Sequence, residues 1–502
     1  MPYVLGVDVG SSRTAAATCR LDASPRGDVD LVVLGLRSNT MASTVYLAPD
    51  GSVVVGDAAE RQALAEPGNV ARGFLGRLGD ETPLMVGGEP CLPEDLAAAL
   101  IMWVVERASA TRSGPPDHIM ITHPPAWGGF RRMLLHRALQ QAGLSGITLL
   151  PTPIAAGEGH AARHQVDADD ALAIYSLGAD SFTASVIRRT PISTFELLGH
   201  GDAAEHVGGS HFDDALVAHV RGGLDGALDG LDPADPQDRI AMLRLRDECM
   251  EAKHRLSFGT ETAVEVRLPG VRTQIKITRV EFEKLARPTL ESTVDILRRT
   301  VDRVAGDGLG GTLLIGGCSR IPLITELVSA RLPGDVLTDA DPELTAARGA
   351  ALAARRLVTG GLAGAAAPRS ANQGSGTVLD GEAAPSAAER TAIVVAVPPE
   401  QADEESPARP PVDIAPPELP QNRSIMNRFS GAKPGLIGAI TVVVLAAGIW
   451  LTFALRGNSS PPTGPGIAPP GQAPATVTAV RAPAPPAVPG PPGSDERDED
   501  GR

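Results

Sequence analysis

The chain has 502 residues, 43% of them hydrophobic, which is enough to bury a large core in two or three domains. Its formal net charge of -15 argues against binding to DNA or RNA, because no basic face balances the phosphates. The four cysteines lie far apart without a CxxC pair, which predicts a reducing compartment and neither a disulfide framework nor a zinc cage.

Residues 1–356 have the pattern of an α/β protein, in which short β-branched runs alternate with helical stretches. None of the four lysines follows a glycine, and no GxGxxG follows a strand, so neither a P-loop nor a dinucleotide-binding turn is predicted. Strands are predicted at residues 3–9, 119–122, 171–175 and 312–315, and helices at residues 95–108 and 235–256.

A phosphate-binding hairpin is predicted at the N-terminus. Asp8 ends a hydrophobic strand, and Gly10, Ser11, Ser12 and Arg13 follow it. Gly10 lets backbone N–H groups approach phosphate oxygens, the hydroxyls add donors, and Asp8 can hold Mg²⁺ through water. The same residue types also form ordinary β-hairpin turns, so this motif alone does not decide the function.

Further motifs follow in a fixed order along the chain. They occupy residues 74–77, 123–127, 172–187, 195–212, 244–257, 313–322 and 341–343. With them the chain, from Tyr3 to Ala354, resembles the seventy-kilodalton heat-shock chaperone family of the actin, hexokinase and heat-shock superfamily. The resemblance implies a duplicated actin-like ATPase fold with two lobes around a nucleotide cleft, and ATP or ADP with Mg²⁺ as cofactors.

The resemblance also implies a set of nucleotide-binding residues beyond the first hairpin. Glycines at these positions permit close approach of the backbone to a ligand, and Arg320 can lie against an adenine face. Lys253 and Ser257 are one helical turn apart and can reach the same ribose. The set is Gly178, Ala179, Ser181, Gly208, Gly209, Lys253, Ser257, Gly316, Gly317, Cys318, Ser319 and Arg320.

Several catalytic positions depart from the family pattern. Where family ATPases have a second aspartate near Mg²⁺, a lysine and a glutamate, this chain has Ser176, Arg72 and Thr152. The planar guanidinium of Arg72 keeps a positive charge but cannot replace an ammonium that positions water. Asp8 and, weakly, Arg72 are the remaining candidates for catalysis. Hydrolysis is therefore expected to be very slow or absent, with nucleotide binding less affected.

Two histidines, His160 and His164, stand four residues apart and could share one helix face as metal ligands. No third ligand is evident from the sequence. A solvated surface pair is the expected arrangement.

The C-terminal part divides into three segments. Residues 357–433 are rich in Ala, Pro and Gly and predict a disordered linker rather than a peptide-binding β-sandwich. Within residues 434–455, 21 residues without a charge (435–455) predict a transmembrane helix, since a rise of about 1.5 Å per residue spans about 30 Å of hydrocarbon. More basic residues precede this segment than follow it, which places the N-terminal domain in the cytoplasm. Residues 456–502 form a Pro-rich, disordered tail that would lie outside the cell.

The sequence thus predicts a single-pass protein of the cell membrane that binds nucleotide at the cytoplasmic face and responds to it as a switch or chaperone-like module. Its partners would be the lipid bilayer, through residues 434–455, and an unidentified protein. A scaffold with a vestigial nucleotide site is the alternative. A sugar kinase is disfavoured, because the diglycine and adenosine motifs follow the chaperone branch of the superfamily.

Overall fold

The computed structural model describes residues 1–365 except 23–27, 37, 203–206, 225, 227, 233 and 306–307. The strands are β1 (Tyr3–Val9), β2 (Arg13–Arg20), β3 (Val29–Leu31), β4 (Thr40–Ala42), β5 (Val45–Leu47), β6 (Val53–Val55), β7 (Val70–Ala71), β8 (Leu84–Val86), β9 (Glu89–Cys91), β10 (His118–His123), β11 (Ile147–Pro151), β12 (Ala171–Leu177), β13 (Phe182–Arg189), β14 (Phe195–Asp202), β15 (Glu261–Leu268), β16 (Val271–Thr278), β17 (Leu309–Ile315) and β18 (Asp335–Thr338). The α-helices are α1 (Asp57–Ala63), α2 (Pro93–Arg112), α3 (Gly129–Gln141), α4 (Thr152–Ala161), α5 (Gly209–Gly222), α6 (Pro236–Phe258), α7 (Arg279–Val304), α8 (Pro322–Arg331) and α9 (Thr345–Ala365).

Two sheets with the same topology organise the domain. The first has the order β11-β10-β1-β2-β3, with β4 also paired to β2, and the second has the order β14-β13-β12-β17-β18. In each sheet an antiparallel hairpin, β1–β2 or β12–β13, continues into two parallel strands. We call the first sheet with α1–α3 the first lobe, and the second sheet with α5–α8 the second lobe. This repeated topology confirms the α/β prediction and agrees with the expected duplication.

Strand β1 shows how the pattern of apolar residues places the core. Leu5 and Val7 face the cluster that contains α2, whereas Val4 faces α9, because successive side chains of a strand point to opposite faces. Both faces of the strand are therefore buried, which explains its nearly continuous apolar sequence.

Helices α4 and α9 approach each other so closely that only glycine fits at the contact. A Cβ on Gly349 would lie 1.7 Å from the carbonyl oxygen of Ala155, and a Cβ on Gly159 would lie 2.5 Å from that of Thr345. Gly6 of β1 allows α9 the same close approach to the first sheet. This contact joins α9, on the first lobe, to α4, which also packs on the second sheet.

Each predicted strand and helix is present. Each is longer in the structure than predicted, except β1, which has the predicted bounds. Helix α9 continues through Ala365, past residue 356, where the sequence predicts the domain to end. This extension contains three glycines and only two alanines, so helix propensity does not explain it. No helix among the described residues has the length and apolar character needed to cross a bilayer. The predicted transmembrane segment, 434–455, and the tail, 456–502, lie outside the described residues, as does the linker from 366 onwards.

The histidine pair at the end of α4 differs from the prediction. His160 is 3% exposed, so it does not belong to a solvated surface pair, and its ring stacks on that of His164 at a centroid distance of 4.4 Å. The buried carboxylate of Asp339 lies beside both rings. The sequence could not reveal this third residue, because it follows β18 at a distant point of the chain.

Candidate functional site

Two equivalent turns occupy the same position in the two sheets. In the first phosphate hairpin, between β1 and β2, Gly10 N donates to the carbonyl oxygen of Arg13 at 3.1 Å. In the second phosphate hairpin, between β12 and β13, Gly178 N donates to that of Ser181 at 3.0 Å. Ser12 at the first tip is exposed, as is Ser181. Both turns predicted from the sequence are therefore formed, with the same backbone hydrogen bond.

The carboxylate of Asp8 stands at the end of β1 beside the neighbouring parallel strand β10. Thr122 on β10 donates its hydroxyl hydrogen bond to Asp8 Oδ1. Burial raises the pKa of the Asp8 carboxyl, and the Thr122 hydrogen bond acts in the opposite direction. The carboxylate is thus oriented at the edge of the first sheet, next to the first phosphate hairpin.

The diglycine turn, residues 208–209, packs directly on the second phosphate hairpin. Gly209 N donates to the carbonyl oxygen of Gly178 at 3.0 Å, and Ser210 N donates to that of Ala179 at 2.8 Å. A Cβ on Gly208 would lie 2.4 Å from the same Ala179 oxygen. The backbone of α5 therefore begins against the hairpin, and a larger residue at position 208 has no room there.

Asp180 occupies a hairpin position at which the family pattern expects glycine. Its Oδ1 accepts a hydrogen bond from Ser210 Oγ at 2.6 Å, so the carboxylate is turned towards the start of α5. Ser176, at the position of the missing aspartate, is half-buried near the end of β12. The second hairpin thus retains one carboxylate, but four residues after the expected position.

Lys253 of α6 is engaged inside the protein. Its Nζ lies 2.8 Å from Asp213 Oδ1 and donates to the carbonyl oxygen of Gly209 at 2.9 Å. Burial raises the pKa of the Asp213 carboxyl, and the neighbouring Lys253 charge opposes this rise. Ser257, one turn later, donates back to the carbonyl oxygen of Lys253 at 3.4 Å. The ammonium thus supports the diglycine turn, a role that the sequence did not predict.

Arg320 is held by a salt bridge and an aromatic contact. Its guanidinium lies 3.0 Å from the carboxylate of Glu343 and 5.8 Å from the ring centroid of Phe258, the last residue of α6. Gly316 has a φ of 88°, and a Cβ there would lie 2.4 Å from the carbonyl oxygen of Leu177. A guanidinium fixed in this way offers its plane to an aromatic ring.

The remaining residues of the 316–320 loop differ in exposure. Ser319 is buried and donates to the carbonyl oxygen of Gly316 at 2.7 Å, so it stabilises the loop. A Cβ on Gly317 would meet no atom of the described chain within 4 Å. Burial raises the pKa of the Cys318 thiol, which packs near the diglycine turn. Gly317 is therefore the residue of this loop that faces space unfilled by any described atom.

Arg72, which is predicted to stand at the position of the family's catalytic lysine, forms a bidentate salt bridge. Its Nε and Nη2 lie 2.9 Å and 2.5 Å from the two carboxylate oxygens of Glu60. Burial acts to raise the pKa of Glu60, but hydrogen bonds from Arg72 and Thr44 outweigh it and hold that pKa below its usual value. The positive charge of Arg72 is therefore already balanced within the first lobe.

The carboxyl end of β10 carries a buried histidine that the sequence analysis did not single out as a functional residue. His123 Nδ1 lies 2.8 Å from the carbonyl oxygen of Pro124, and its ring stacks on Trp127. Its Nε2 is buried and finds no hydrogen-bond partner within the described part of the chain. Burial lowers the pKa of His123 to about 4, which keeps the ring neutral. Thr152, at the position of the family's glutamate, donates to the His123 carbonyl oxygen at 3.0 Å.

A charge of the first phosphate hairpin acts on a residue of the second lobe. Burial, and after it the charges of Lys253 and Arg13, lower the pKa of His254 on α6. Arg13 belongs to the first hairpin, so its field reaches the helix of the opposite lobe. The first phosphate hairpin therefore lies within electrostatic range of α6.

Comparison with known proteins agrees with this geometry. The model of the Hsp70 protein family matches residues 79–361, more than half of the chain, beginning after the first phosphate hairpin. The chaperone protein DnaK of Elusimicrobium minutum is 26% identical over 368 residues, which cover 70% of this chain and 58% of that protein. The DnaK of Thermotoga petrophila is 24% identical over 363 residues, or 70% and 59% of the two chains. The alignments span only about three fifths of these relatives. The chain belongs to the Hsp70 family, and its two lobes form a nucleotide-binding domain of the Hsp70 type.

Proposed function

We propose that this chain is a membrane-anchored Hsp70 relative that binds ATP or ADP with Mg²⁺, hydrolyses ATP weakly or not at all, and acts as a nucleotide-responsive switch at the cytoplasmic face of the cell membrane. One observation carries the proposal. The backbone elements that would receive the phosphates are intact, whereas Arg72, at the lysine position, is neutralised by Glu60. The groups that would bind the nucleotide are therefore different from the residue whose substitution would slow hydrolysis.

The residues of the cleft fit a nucleotide. The N–H groups of both phosphate hairpins would hold the phosphates, and the plane of Arg320 would receive the adenine. Asp8 would hold Mg²⁺ through water, and the bound ion supplies neutralisation of phosphate charge. Close packing at Gly208 and Gly316 keeps the loops in these positions, since a Cβ at either residue would collide with backbone.

Weak hydrolysis follows from the residues at three positions. Neither Ser176 nor Thr152 can supply the carboxylate that the family pattern expects, and the Thr152 hydroxyl donates to a carbonyl oxygen. Arg72 donates to Glu60 through two of its three guanidinium nitrogens, Nε and Nη2. Because phosphoryl transfer depends on positioning and charge neutralisation, these changes together remove several contributions to the rate.

The membrane part of the proposal relies on residues 434–455 and their flanks. A stretch of 21 residues without a charge is long enough to span a bilayer, and the excess of basic residues on its N-terminal side favours a cytoplasmic nucleotide-binding domain. The 357–433 segment is too poor in strand-like alternation for a peptide-binding sandwich. A switch is therefore favoured over a chaperone that holds clients. Carbonate extraction of membranes and protease protection of the Pro-rich tail test the anchor and its orientation.

The decisive experiment compares binding with turnover in the purified full chain in detergent. Mg-ATP is expected to raise the unfolding temperature by a few degrees, and the Asp8→Asn variant to show a smaller rise. Phosphate release is expected to stay at the level of that variant. Robust release that Asp8→Asn abolishes would overturn the proposal of weak hydrolysis.

Lys253 and Arg72 are both paired with carboxylates of the chain, so neither cation needs a nucleotide to balance its charge. This leaves one alternative open, a scaffold whose fold does not depend on nucleotide. The same thermal experiment separates the two functions. No stabilisation by ATP or ADP, together with capture of the same membrane partner in both conditions, would favour the scaffold.

A further inference from the structure

Three metal-ligating side chains converge outside the nucleotide cleft. His160 lies on α4, His164 follows that helix, and Asp339 stands in the loop between β18 and α9. His160 Nδ1 is 3.6 Å and His164 Nε2 is 3.8 Å from the same carboxylate oxygen, Asp339 Oδ1. All three ligand atoms lie within 4.8 Å of one another.

The spacing of the two histidines brings their rings to one side of the helix. Residues four apart are neighbours on a helical surface, and His164 N donates to the carbonyl oxygen of His160 at 3.0 Å, so the helical turn continues beyond Ala161. The rings are stacked, with an interplanar angle of 19°. Two histidines at this spacing form a recurring half-site for zinc on helices.

The two buried polar atoms at the centre of the cluster face each other at 3.6 Å, which is too long for a good hydrogen bond. His160 Nδ1 and Asp339 Oδ1 are buried, and neither has a hydrogen-bond partner among the described residues. Their side chains are only 4% and 3% exposed. The other carboxylate oxygen, Asp339 Oδ2, accepts a hydrogen bond from Thr345 Oγ1 at 2.7 Å, which orients Oδ1 towards the histidines. Unsatisfied buried polar atoms are costly, and a cation would satisfy both at once.

We propose that His160 Nδ1, His164 Nε2 and Asp339 Oδ1 form a binding site for Zn²⁺ or a similar divalent transition-metal ion. In a tetrahedral zinc site, bonds of about 2.0–2.2 Å place neighbouring ligand atoms about 3.3–3.6 Å apart. The two histidine-to-aspartate distances exceed this range by no more than a few tenths of an ångström. The stacked rings differ more from this geometry, because an imidazole binds an ion in the plane of its ring, so binding requires the exposed His164 ring to rotate out of the stack.

The donor set narrows the identity of the ion. Two imidazoles with one carboxylate suit zinc and its neighbours in the transition series, whereas Mg²⁺ and Ca²⁺ prefer oxygen ligands. The side chain of His164 is 55% exposed, so water or an external group can occupy the remaining position. Arg163 acts electrostatically on Asp339, and a cation has to compete with this charge.

The site would connect two segments that meet beside the contact between α4 and α9. Helix α4 begins at Thr152, next to His123, and ends at the histidine pair. Asp339 is linked through Thr345 to the start of α9. A bound ion would fasten these segments to each other, so binding is expected to raise the unfolding temperature even without nucleotide.

The test uses the untagged full chain in detergent, without nucleotide, and Co²⁺ and Zn²⁺ as probes. We expect Co²⁺ to give a visible absorption spectrum typical of tetrahedral coordination, which Zn²⁺ displaces at one ion per chain. His164→Ala and Asp339→Asn are expected to weaken Zn²⁺ binding at least about tenfold and to remove the Zn²⁺-induced rise in unfolding temperature.

Two controls keep the result interpretable. His211→Ala removes an exposed histidine on the second lobe and is expected to keep full Zn²⁺ affinity. Asp8→Asn is expected to keep it as well, which separates this site from the nucleotide cleft. Because the His164 side chain is largely exposed, His164→Ala is expected to unfold at the temperature of the unmodified chain when no metal is present. Equal Zn²⁺ affinity of the unmodified chain and a His160→Ala, His164→Ala double variant would overturn the proposal.

Discussion

Lys253 Nζ lies 2.8 Å from Asp213 Oδ1, and the two side chains, on α6 and α5, are only 6% and 8% exposed. The same ammonium donates to the carbonyl oxygen of Gly209. One buried charge pair therefore connects two helices of the second lobe and the diglycine turn. The lysine that the family resemblance assigns to the nucleotide is also part of the structure that shapes the turn.

Replacing this lysine is expected to destabilise the protein without any nucleotide present. Lys253→Met leaves the Asp213 carboxylate buried and unpaired, which should lower the free energy of unfolding by about 3–5 kcal/mol. Urea-induced unfolding followed by circular dichroism measures the change. Lys276→Met, which removes an exposed lysine on β16, is the matched control and should stay within about 0.5 kcal/mol of the unmodified chain. A loss below about 1 kcal/mol for Lys253→Met would show that the pair is not structural.

A methyl group at the diglycine turn is expected to disturb both folding and binding. In Gly208→Ala the new Cβ would lie 2.4 Å from the carbonyl oxygen of Ala179, so the second phosphate hairpin has to shift. We expect a loss of about 1–3 kcal/mol in stability and a weaker affinity for Mg-ATP, measured by calorimetric titration. Gly222→Ala, at the end of α5, meets no described atom within 4 Å and should be neutral or slightly stabilising. Equal behaviour of the two variants would contradict the steric argument.

The sequence predicts the fold better than it predicts the contacts between side chains. The strand pattern and the order of the motifs are local properties of the chain, and β1 has the predicted bounds, Tyr3–Val9. The partners of the site residues are distant in sequence, so no local pattern reveals them. Asp213 beside Lys253 and Phe258 beneath Arg320 are two such partners, and both come from the packing of helix ends in the second lobe.

Salt bridges that form only in the folded chain cannot be predicted from the sequence either. From the sequence, Arg72 is a substituted catalytic residue with a free positive charge, whereas the structure pairs it with Glu60. His123 belongs to a motif that is recognised by its prolines and aromatic residue, and nothing in the motif indicates how deeply its ring is buried. For Arg72 the only sequence signal was a departure from the family pattern, and His123 gave none beyond its place in a matching motif.

His123 is expected to make the stability depend on pH. Burial lowers its pKa from the ordinary 6.5 to about 4 in the native state, so the unfolded chain takes up a proton that the native chain does not. The contribution of the neutral His123 to the free energy of unfolding is therefore complete above about pH 6.5 and is lost as the pH falls towards 4. Between about pH 7 and about pH 5 the loss from this residue should be about 2 kcal/mol, on an order-of-magnitude basis.

The variant His123→Gln isolates this contribution, because glutamine does not titrate and the other histidines remain. The loss of stability between neutral and mildly acidic pH, measured by urea unfolding, should be smaller in the variant than in the unmodified chain. Parallel pH profiles for the two proteins would mean that His123 titrates normally and that its ring is accessible to water.

Restoring the family residues is expected to restore turnover. The triple variant Arg72→Lys, Thr152→Glu and Ser176→Asp supplies an ammonium and two carboxylates at the positions where family ATPases have them. Lysine cannot keep the two-point ion pair that Arg72 forms with Glu60, so part of the positive charge is released towards the cleft. Phosphate release should rise at least about tenfold, because positioning and charge neutralisation dominate phosphoryl transfer.

Adding Asp8→Asn to the triple variant is the control for this gain, since Asp8 would hold Mg²⁺ through water in the proposed site. The gain should disappear, while Zn²⁺ binding at the histidine pair should not change. If the triple variant binds Mg-ATP as the unmodified chain does but releases phosphate no faster, the three positions are not the cause of weak turnover. The arrangement of the two lobes would then limit the rate, and the close contact of α4 with α9 through Gly159 and Gly349 would be the next place to change.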